Sequence, residues 1–289
     1  MPTLKEYKTK ITSLKNISKI TKTMKLVSAS KLRQAQHAQT SAKLYAWELT
    51  ELIARLSASV DSTLHPLLVA RPSVKKILVL LITSDKGLCG GFNNNLCKKV
   101  AVWMREKNTS VEKIDLSFCG KRGSMFYKNR GNRNKYYENV TAKPDFKNAK
   151  MIGEELSQSF VAGAYDEVYL AYNHFNNALS QTATFEKILP IESISLSPTQ
   201  TQHPSNYLFE PDAPELLQFL IPKFLYFKIY YALLENSAGE HGARMTAMDK
   251  AFQNAMDLIE KYTLLRNRAR QASITKELIE IVSGAEALK

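Results

Sequence analysis

Two long stretches without glycine or proline, one at each end of the chain, constrain the fold more than any other feature. The first extends from Thr3 to His65 and the second from Ala243 to Ser283. Both are rich in residues with high helix propensity, and a helix of about 55 residues would be roughly 80 Å long. Helices in globular domains average only about three turns. We therefore expect helices of this length to pack against other segments along their sides.

Apolar residues in both stretches repeat in alternating steps of three and four, which is the spacing of a heptad repeat. In the first stretch they are Leu4, Tyr7, Ile11 and Leu14, then Ala35, Ala38, Ala42, Tyr45, Leu49, Leu52 and Leu56. In the second they are Met245, Met248, Phe252, Ala255, Ile259 and Tyr262, followed by Leu265, Ala269 and Ala272. This pattern predicts an antiparallel coiled coil within the chain. We expect Ala42 and Leu49 to lie near residues 240–289.

The middle of the chain has the pattern of an α/β domain. A continuous apolar run at Lys76–Thr83 predicts a strand that is buried on both faces. Further strands are predicted at 114–120, 167–175 and 181–191, and helices at 95–107 and 151–165. The alternation predicts a mainly parallel, Rossmann-like sheet. We therefore expect a helix in residues 1–65, an α/β domain in 66–206 and a second helix in 207–289. Residues 121–150 show no readable pattern.

Basic residues are concentrated near the beginning of the chain. The formal net charge is +13, and residues 1–45 contain ten Lys or Arg side chains against one acid, Glu6. Such an excess indicates an acidic partner, which could be nucleic acid, an anionic membrane surface or an acidic protein. No apolar run is long enough to cross a bilayer, and the three cysteines contain no CxxC pair.

A glycine-rich segment, Ser84–Asn95, follows the first predicted strand. The spacing of Gly87, Gly90 and Gly91 fits neither GxGxxG nor a P-loop, so a tight turn is favoured. Nucleotide or phosphate binding and contact with another chain remain alternatives. The five histidines have no metal-binding or triad spacing, and we predict no catalytic residue, cofactor or metal. The five histidines are His37, His65, His174, His203 and His241.

The last residues keep the helical pattern but present small apolar side chains. Val282, Ala285, Ala287 and Leu288 have no later segment of this sequence to cover them. We therefore expect another protein to surround this end.

Five segments resemble motifs of the gamma subunit of F-type ATP synthases, in the same order as in that family. They are "ITKTMKLVSASKLRQAQ" at 20–36, "SDKGLCGGFN" at 84–93, "YLFEPD" at 207–212, "ARMTAMDKA" at 243–251, and Ile274, Thr275, Glu277, Glu280, Gly284 and Ala285. Two departures are a charge at Arg266, beside Asn267, and the pair His241-Gly242, where the glycine should weaken the helix.

The resemblance implies a non-catalytic central shaft of the ATP synthase, without a cofactor. Its partners would be a ring of α and β subunits, the delta/epsilon stalk subunits and the c-ring, with no nucleic acid. The implied contacts with β-subunit loops are Met24, Lys25, Arg244, Arg270, Gln271 and Thr275. An apolar sleeve of the ring would enclose Val282, Ala285, Ala287 and Leu288, and Tyr207 and Glu210 would contact the c-ring.

The expected location is the matrix side of a mitochondrial inner membrane, with the cytoplasmic side of a bacterial plasma membrane as the alternative. Two other functions remain open at this point. One is a basic coiled-coil protein that binds nucleic acid, and the other is a nucleotide-binding α/β enzyme that uses the Gly87–Gly91 loop.

Overall fold

Two long helices and a five-stranded sheet form the protein in the computed structural model, which describes residues 3–59, 65–129, 132–191 and 212–286. Helix α1 extends over Leu4–Ser59 and helix α5 over Ala213–Glu286. The chain divides into two compact units, one of residues 1–28 with 244–289 and one of residues 29–243. The predicted boundary at residues 206 and 207 lies outside the described residues.

The sheet has the strand order β3-β2-β1-β4-β5, with β5 antiparallel to β4 and the other pairs parallel. The predicted α/β fold with a mainly parallel sheet and long terminal helices is confirmed. The strands are β1 (Lys76–Ile82), β2 (Lys113–Cys119), β3 (Asn132–Tyr137), β4 (Glu167–Phe175) and β5 (Gln181–Leu189). The shorter helices are α2 (Phe92–Lys107), α3 (Lys121–Phe126) and α4 (Phe146–Val161).

The central strand β1 contributes to apolar clusters on both faces of the sheet. Leu78, Leu80 and Ile82 belong to the cluster that also contains residues of α1, α4 and α5. Ile77, Val79 and Leu81 belong to a second cluster with residues of α2. Successive side chains of a strand point to opposite faces, so a strand covered on both sides must be apolar at every position.

Residues 121–150 contain two elements that the sequence did not predict, the six-residue helix α3 and the edge strand β3. The β3 sequence, NRNKYY, is polar, and its side chains pair at the surface with neighbouring elements. Arg133 donates to Ser124 Oγ at 2.7 Å, and Lys135 Nζ lies 2.7 Å from Glu155.

Helix α5 begins thirty residues before the heptad pattern that predicted it, at Ala213 rather than Ala243. Within residues 29–243, Gln39 Nε2 of α1 lies 2.6 Å from Glu235, and the Tyr45 and Phe227 rings are 4.8 Å apart. The expectation that Ala42 and Leu49 lie near residues 240–289 is therefore wrong. The second half of α1 packs against the first half of α5, which is buried on several sides and so has no heptad pattern.

Candidate interaction surfaces of the long helices

The unit of residues 3–28 and 244–286, called the helical unit below, contains an antiparallel helix pair. Successive contacts join rising positions of α1 to falling positions of α5, as the heptad pattern predicted. The Tyr7 and Tyr262 rings are 6.2 Å apart, Ser18 Oγ lies 3.6 Å from Met256 Sδ, and Lys25 Nζ lies 2.6 Å from Asp249 Oδ1.

The seam of the helical unit is lined by small side chains. Ser18, Thr21 and Ser28 of α1 are buried, as is Ala255 of α5. The Thr21 hydroxyl donates to the Ile17 carbonyl at 2.9 Å, so it is satisfied without a partner on α5. These small side chains allow close approach of the two helices, and the larger Ile11 of α1 and Met248 of α5 are buried in the same unit.

A second apolar stripe of α1 faces away from this seam. Ile17, Ile20 and Val27 are between 47% and 59% exposed, and the half-buried Met24 continues their spacing. Residues at steps of three and four share one face of a helix. The helical unit therefore has an apolar surface of its own, and the same segment of α1 carries exposed lysines such as Lys19 and Lys22.

The end of α5 continues well beyond α1. Because Tyr262 packs on Tyr7 and α1 begins at Leu4, the part of α5 that ends at Glu286 extends roughly 30 Å beyond α1 at 1.5 Å per residue. Residues 274–286 of this segment are called the α5 tip, and five large apolar side chains on it are between 49% and 68% exposed: Ile274, Leu278, Ile279, Ile281 and Val282.

Ala285, which the resemblance placed in the sleeve, is also exposed, and Ala287 and Leu288 lie outside the described residues. Tyr207 and Glu210, the residues expected to contact the c-ring, also lie outside the described residues.

The residues assigned to β-subunit loops have very different surroundings. Arg270, Gln271 and Thr275 are exposed on the part of α5 beyond α1. Lys25 is already paired with Asp249, and Met24 is half-buried. Arg244 is only 7% exposed. Of the three cations, Arg270 is therefore the one whose charge lies open at the surface.

The glycine-rich loop is held by its own polar groups. The Ser84 backbone N–H donates to Asn93 Oδ1 at 2.9 Å, and Asn93 Nδ2 donates to Ser84 Oγ at 2.7 Å. Asp85 accepts the backbone N–H of Lys121 and the Thr141 hydroxyl. Gly90 has a φ of 59°, a value that favours glycine. These contacts favour the tight-turn interpretation, although a cavity of about 350 Å³ lies between the loop and α3.

The crevice where a doubly wound fold binds nucleotides is filled by α5. Such ligands bind beyond the carboxyl ends of the strands where the strand order reverses, here between β1 and β4. Asn236 Nδ2 lies 3.4 Å from the Thr83 carbonyl after β1, and Glu235 accepts the Phe175 N–H at the end of β4. A Cβ on Gly239 would lie 2.9 Å from the Phe92 ring, so this glycine permits the close approach. This packing weighs against the nucleotide-binding enzyme.

The cysteines are buried and have no reactive environment. Burial raises the pKa of Cys97 to about 12 and raises the pKa of Cys119 further. No group of three potential metal ligands occurs in the part of the chain that the structure describes. Across the same residues, no helix combines the length and apolar character needed to cross a membrane.

Comparison with known proteins matches the whole chain to one family. A family model described as ATP synthase matches residues 3–288. A protein named ATP synthase gamma chain from Geobacter metallireducens is 45% identical over 289 residues, covering 100% of both chains. A protein of that name from Chlorobaculum parvum is 42% identical over 293 aligned positions, again covering 100% of both.

Solved structures show the same fold. A chain from the Euglena gracilis mitochondrial ATP synthase, in a structure of OSCP, F1 and c-ring, aligns with a TM-score of 0.65 at 19% identity. The alignment covers 99% of this chain and 94% of that one. A chain from the central stalk and c-ring of the Tetrahymena thermophila enzyme aligns with a TM-score of 0.57 at 23% identity, over 80% and 99%.

The fold and its surfaces define an interaction protein built on two long antiparallel helices and an α/β layer. Together with the family match and the curated relatives, they identify the chain further. It belongs to the ATP synthase gamma chain family.

Two functional features were not predicted from the sequence. The exposed stripe of Ile17, Ile20 and Val27 has heptad-like spacing but was not separated from the seam. The buried polar residues Glu235 and Asn236 stand in the largely apolar stretch YYALLENSA. A charged residue between apolar neighbours on a helix with no polar face was the signal that could have revealed them.

Proposed function

We propose that this chain is the rotating central shaft of an F-type ATP synthase. The observation that carries the proposal is the α5 tip, where five large apolar side chains are exposed on the part of α5 that extends beyond α1. Fully burying such a side chain is worth about 1.5–3 kcal/mol. A sleeve formed by the ring of α and β subunits would cover these residues together with Ala285, Ala287 and Leu288.

The charge distribution supports contact with acidic loops of the β subunits. Arg270, Gln271 and Thr275 are exposed and can reach such loops from the part of α5 beyond α1. Most lysines of α1 are also exposed, which gives the helical unit a strongly basic surface. Met24 and Lys25 would contribute from α1, and Arg244 would act through the packing that positions them.

The contacts of the shaft with the c-ring and the delta/epsilon subunits are proposed to involve the α/β layer and the segment before α5. Tyr207 and Glu210 would contact the c-ring, and the delta/epsilon subunits would bind beside them. Solved chains with this fold include one from a structure of a central stalk with its c-ring, which supports the assignment.

Coupling would depend on the lack of rotational symmetry in the shaft. The helical unit has an apolar stripe on one face of α1, lysines beside it and a half-buried ion pair between the helices. Surrounding subunits meet different faces, so each is biased towards a different state. A contact can shift a conformational equilibrium only if it differs between the states, and rotation would supply that difference in turn.

The ATP synthase family places this chain in an enzyme complex, and we propose that the chain itself carries no catalytic residue. Its polar clusters bridge secondary-structure elements, as Asp85 and Glu235 do, and the catalytic sites would belong to the ring. The two curated relatives compared above come from bacteria, which favours the cytoplasmic side of a bacterial plasma membrane over the mitochondrial location.

A purification through a tag on this chain tests the proposal. We expect the α, β, delta/epsilon and c subunits to co-purify, and ATP hydrolysis to accompany them. In the variant with Ile279 and Val282 changed to serine, less of the ring of α and β subunits should co-purify with this chain. Recovery of nucleic acid instead of these subunits, with a steep loss of binding as salt rises, would support the nucleic-acid-binding alternative.

A further inference from the structure

A fully buried carboxylate joins three elements of the unit of residues 29–243. Glu235 of α5 has no exposed surface. Its Oε1 accepts a hydrogen bond of 2.6 Å from Gln39 Nε2 of α1. Its Oε2 accepts the backbone N–H of Phe175, at the end of β4, at 2.6 Å and lies 3.2 Å from His174 Nδ1.

A phenol on the same helix adds a further donor. Burial raises the pKa of Tyr231, and its hydrogen bond to Glu235 raises the pKa further. The Tyr231 hydroxyl therefore stays protonated and donates a hydrogen bond to the Glu235 carboxylate. We call Glu235, its three donors from Gln39, Phe175 and Tyr231, and the adjacent His174 ring the Glu235 hub.

On α1 the apolar packing near the hub is built from alanine. The apolar neighbours of Gln39 are Ala35, Ala38 and Ala42, whereas α5 buries Leu233 and Leu234 beside Ala232 and Ala238. Alanine surfaces are smooth, so a shift along or around the helix changes little in their contacts. A buried carboxylate is different, because it is satisfied only where all its donors converge.

We propose that Glu235 is a positioning residue that fixes the register of α5 against α1 and β4, so that α5 and the sheet within residues 29–243 turn as one body. The inference rests on the proposed function as a rotating shaft. Displacement of α5 by one turn would leave the buried carboxylate without its donors. Replacement of buried ionic groups by apolar ones is often neutral or stabilising, so a register role explains the carboxylate better than stability does.

The variant Glu235→Gln tests the proposal in the assembled ATP synthase. Its amide NH₂ must face either Gln39 Nε2 or the Phe175 N–H, and both are donors. We expect proton pumping per ATP hydrolysed to fall at least about fivefold, the lower end of typical coupling energies. Glu154→Gln, the same substitution on the exposed surface of α4, is the matched control and should pump normally.

A second pair of variants separates positioning from stability. In the double variant Gln39→Glu with Glu235→Gln, residue 39 accepts from the new amide, and the amide oxygen accepts from Phe175, so coupling should recover. Gln39→Leu keeps the Phe175 donor and adds apolar surface. Because the buried carboxylate loses one donor, this variant should lower the coupling together with the melting temperature, whereas the double variant should recover the coupling.

The outcomes decide between the inference and the proposed function. Normal pumping by Glu235→Gln, or no recovery in the double variant, overturns the positioning role. If Glu235→Gln does not assemble, Gln39→Leu decides, and its normal coupling overturns the role. If the complex with the unchanged chain does not couple ATP hydrolysis to pumping, the proposed function itself fails.

Discussion

Lys25 Nζ lies 2.6 Å from Asp249 Oδ1 and joins α1 to α5 inside the helical unit. Both side chains are close to 40% exposed, so solvent screens the pair. The pair neutralises one lysine of the basic surface and contributes little to holding the two helices together. The small-residue seam and the apolar contacts beside it supply most of the stability.

The variant Asp249→Asn should therefore change the free energy of unfolding by less than about 1 kcal/mol, as expected for an exposed pair. Chemical denaturation of the isolated chain measures this difference. A loss of more than about 3 kcal/mol, which is typical of a broken buried pair, would contradict the interpretation.

Charge reversal should distinguish two arginines that the resemblance placed together. Arg270→Glu lies on exposed helix and should leave the fold unchanged to within about 0.5 kcal/mol. Arg244→Glu puts an acid at a position that is only 7% exposed and should destabilise the chain by about 3 kcal/mol or more.

Unfolding curves and ATP synthesis rates check this difference. We expect Arg270→Glu to lower synthesis in a folded chain and Arg244→Glu to lower it through loss of structure. Full synthesis in the complex with Arg270→Glu would remove Arg270 from the proposed contacts with the β subunits.

Serine substitutions at Ile279 and Val282 should leave the melting temperature of the isolated chain unchanged, because both side chains are already exposed. Ile11→Ser, in the buried seam, is the matched control and should cost about 2–4 kcal/mol. Affinity for the isolated ring of α and β subunits should show the opposite ranking, with the tip variant binding the ring more weakly than the Ile11→Ser variant. Equal ring affinity of the tip variant and the unchanged chain would argue against the sleeve.

Gly120 should be the least replaceable glycine between strand and helix. Its φ is 102°, and an added Cβ would lie 2.1 Å from the Thr83 carbonyl oxygen. Gly120→Ala should therefore destabilise by well over about 1 kcal/mol. Gly163→Ala, which shares a positive φ but meets no atom within 4 Å, should cost only about 1 kcal/mol. Thermal unfolding of both variants tests the order.

Stability should fall in mild acid through His65. Burial lowers the pKa of His65 below its ordinary value of 6.5, and Nδ1 accepts the Leu67 N–H at 3.2 Å. A lowered folded-state pKa means that the stabilising contribution is present above pH 6.5 and is lost as the pH falls through the lower value. Comparison of the chain with His65→Gln at pH 7.5 and pH 5.5 should show a smaller loss in the variant.

The elements predicted from the sequence are those whose burial leaves a simple period. The apolar run at β1 and the heptads of both helices follow directly from packing on two faces or along one seam. The polar edge strand β3 and the six-residue α3 have too few buried residues to produce a period. The first half of α5 lies in the predicted helix of residues 207–289 but has no heptad pattern for the opposite reason, since nearly every face of residues 232–240 is covered.

The candidate surfaces were predictable to different extents. Exposed apolar residues at the α5 tip follow from an uninterrupted helix pattern, and Val282 and Ala285 are exposed there, while their enclosure by a sleeve stays a prediction. The burial of Arg244 could not be predicted, because a helical arginine resembles any other surface charge in sequence. Tyr207 and Glu210 remain predictions.

Observation of single ATP synthase complexes tests the central claim most directly. A probe attached to Lys107, at the end of α2, should turn in one direction when the immobilised α/β ring hydrolyses ATP. Rotation that requires ATP and stops with the hydrolysis-blocked ring is the predicted result. A probe that stays fixed relative to the ring during sustained hydrolysis would contradict the account.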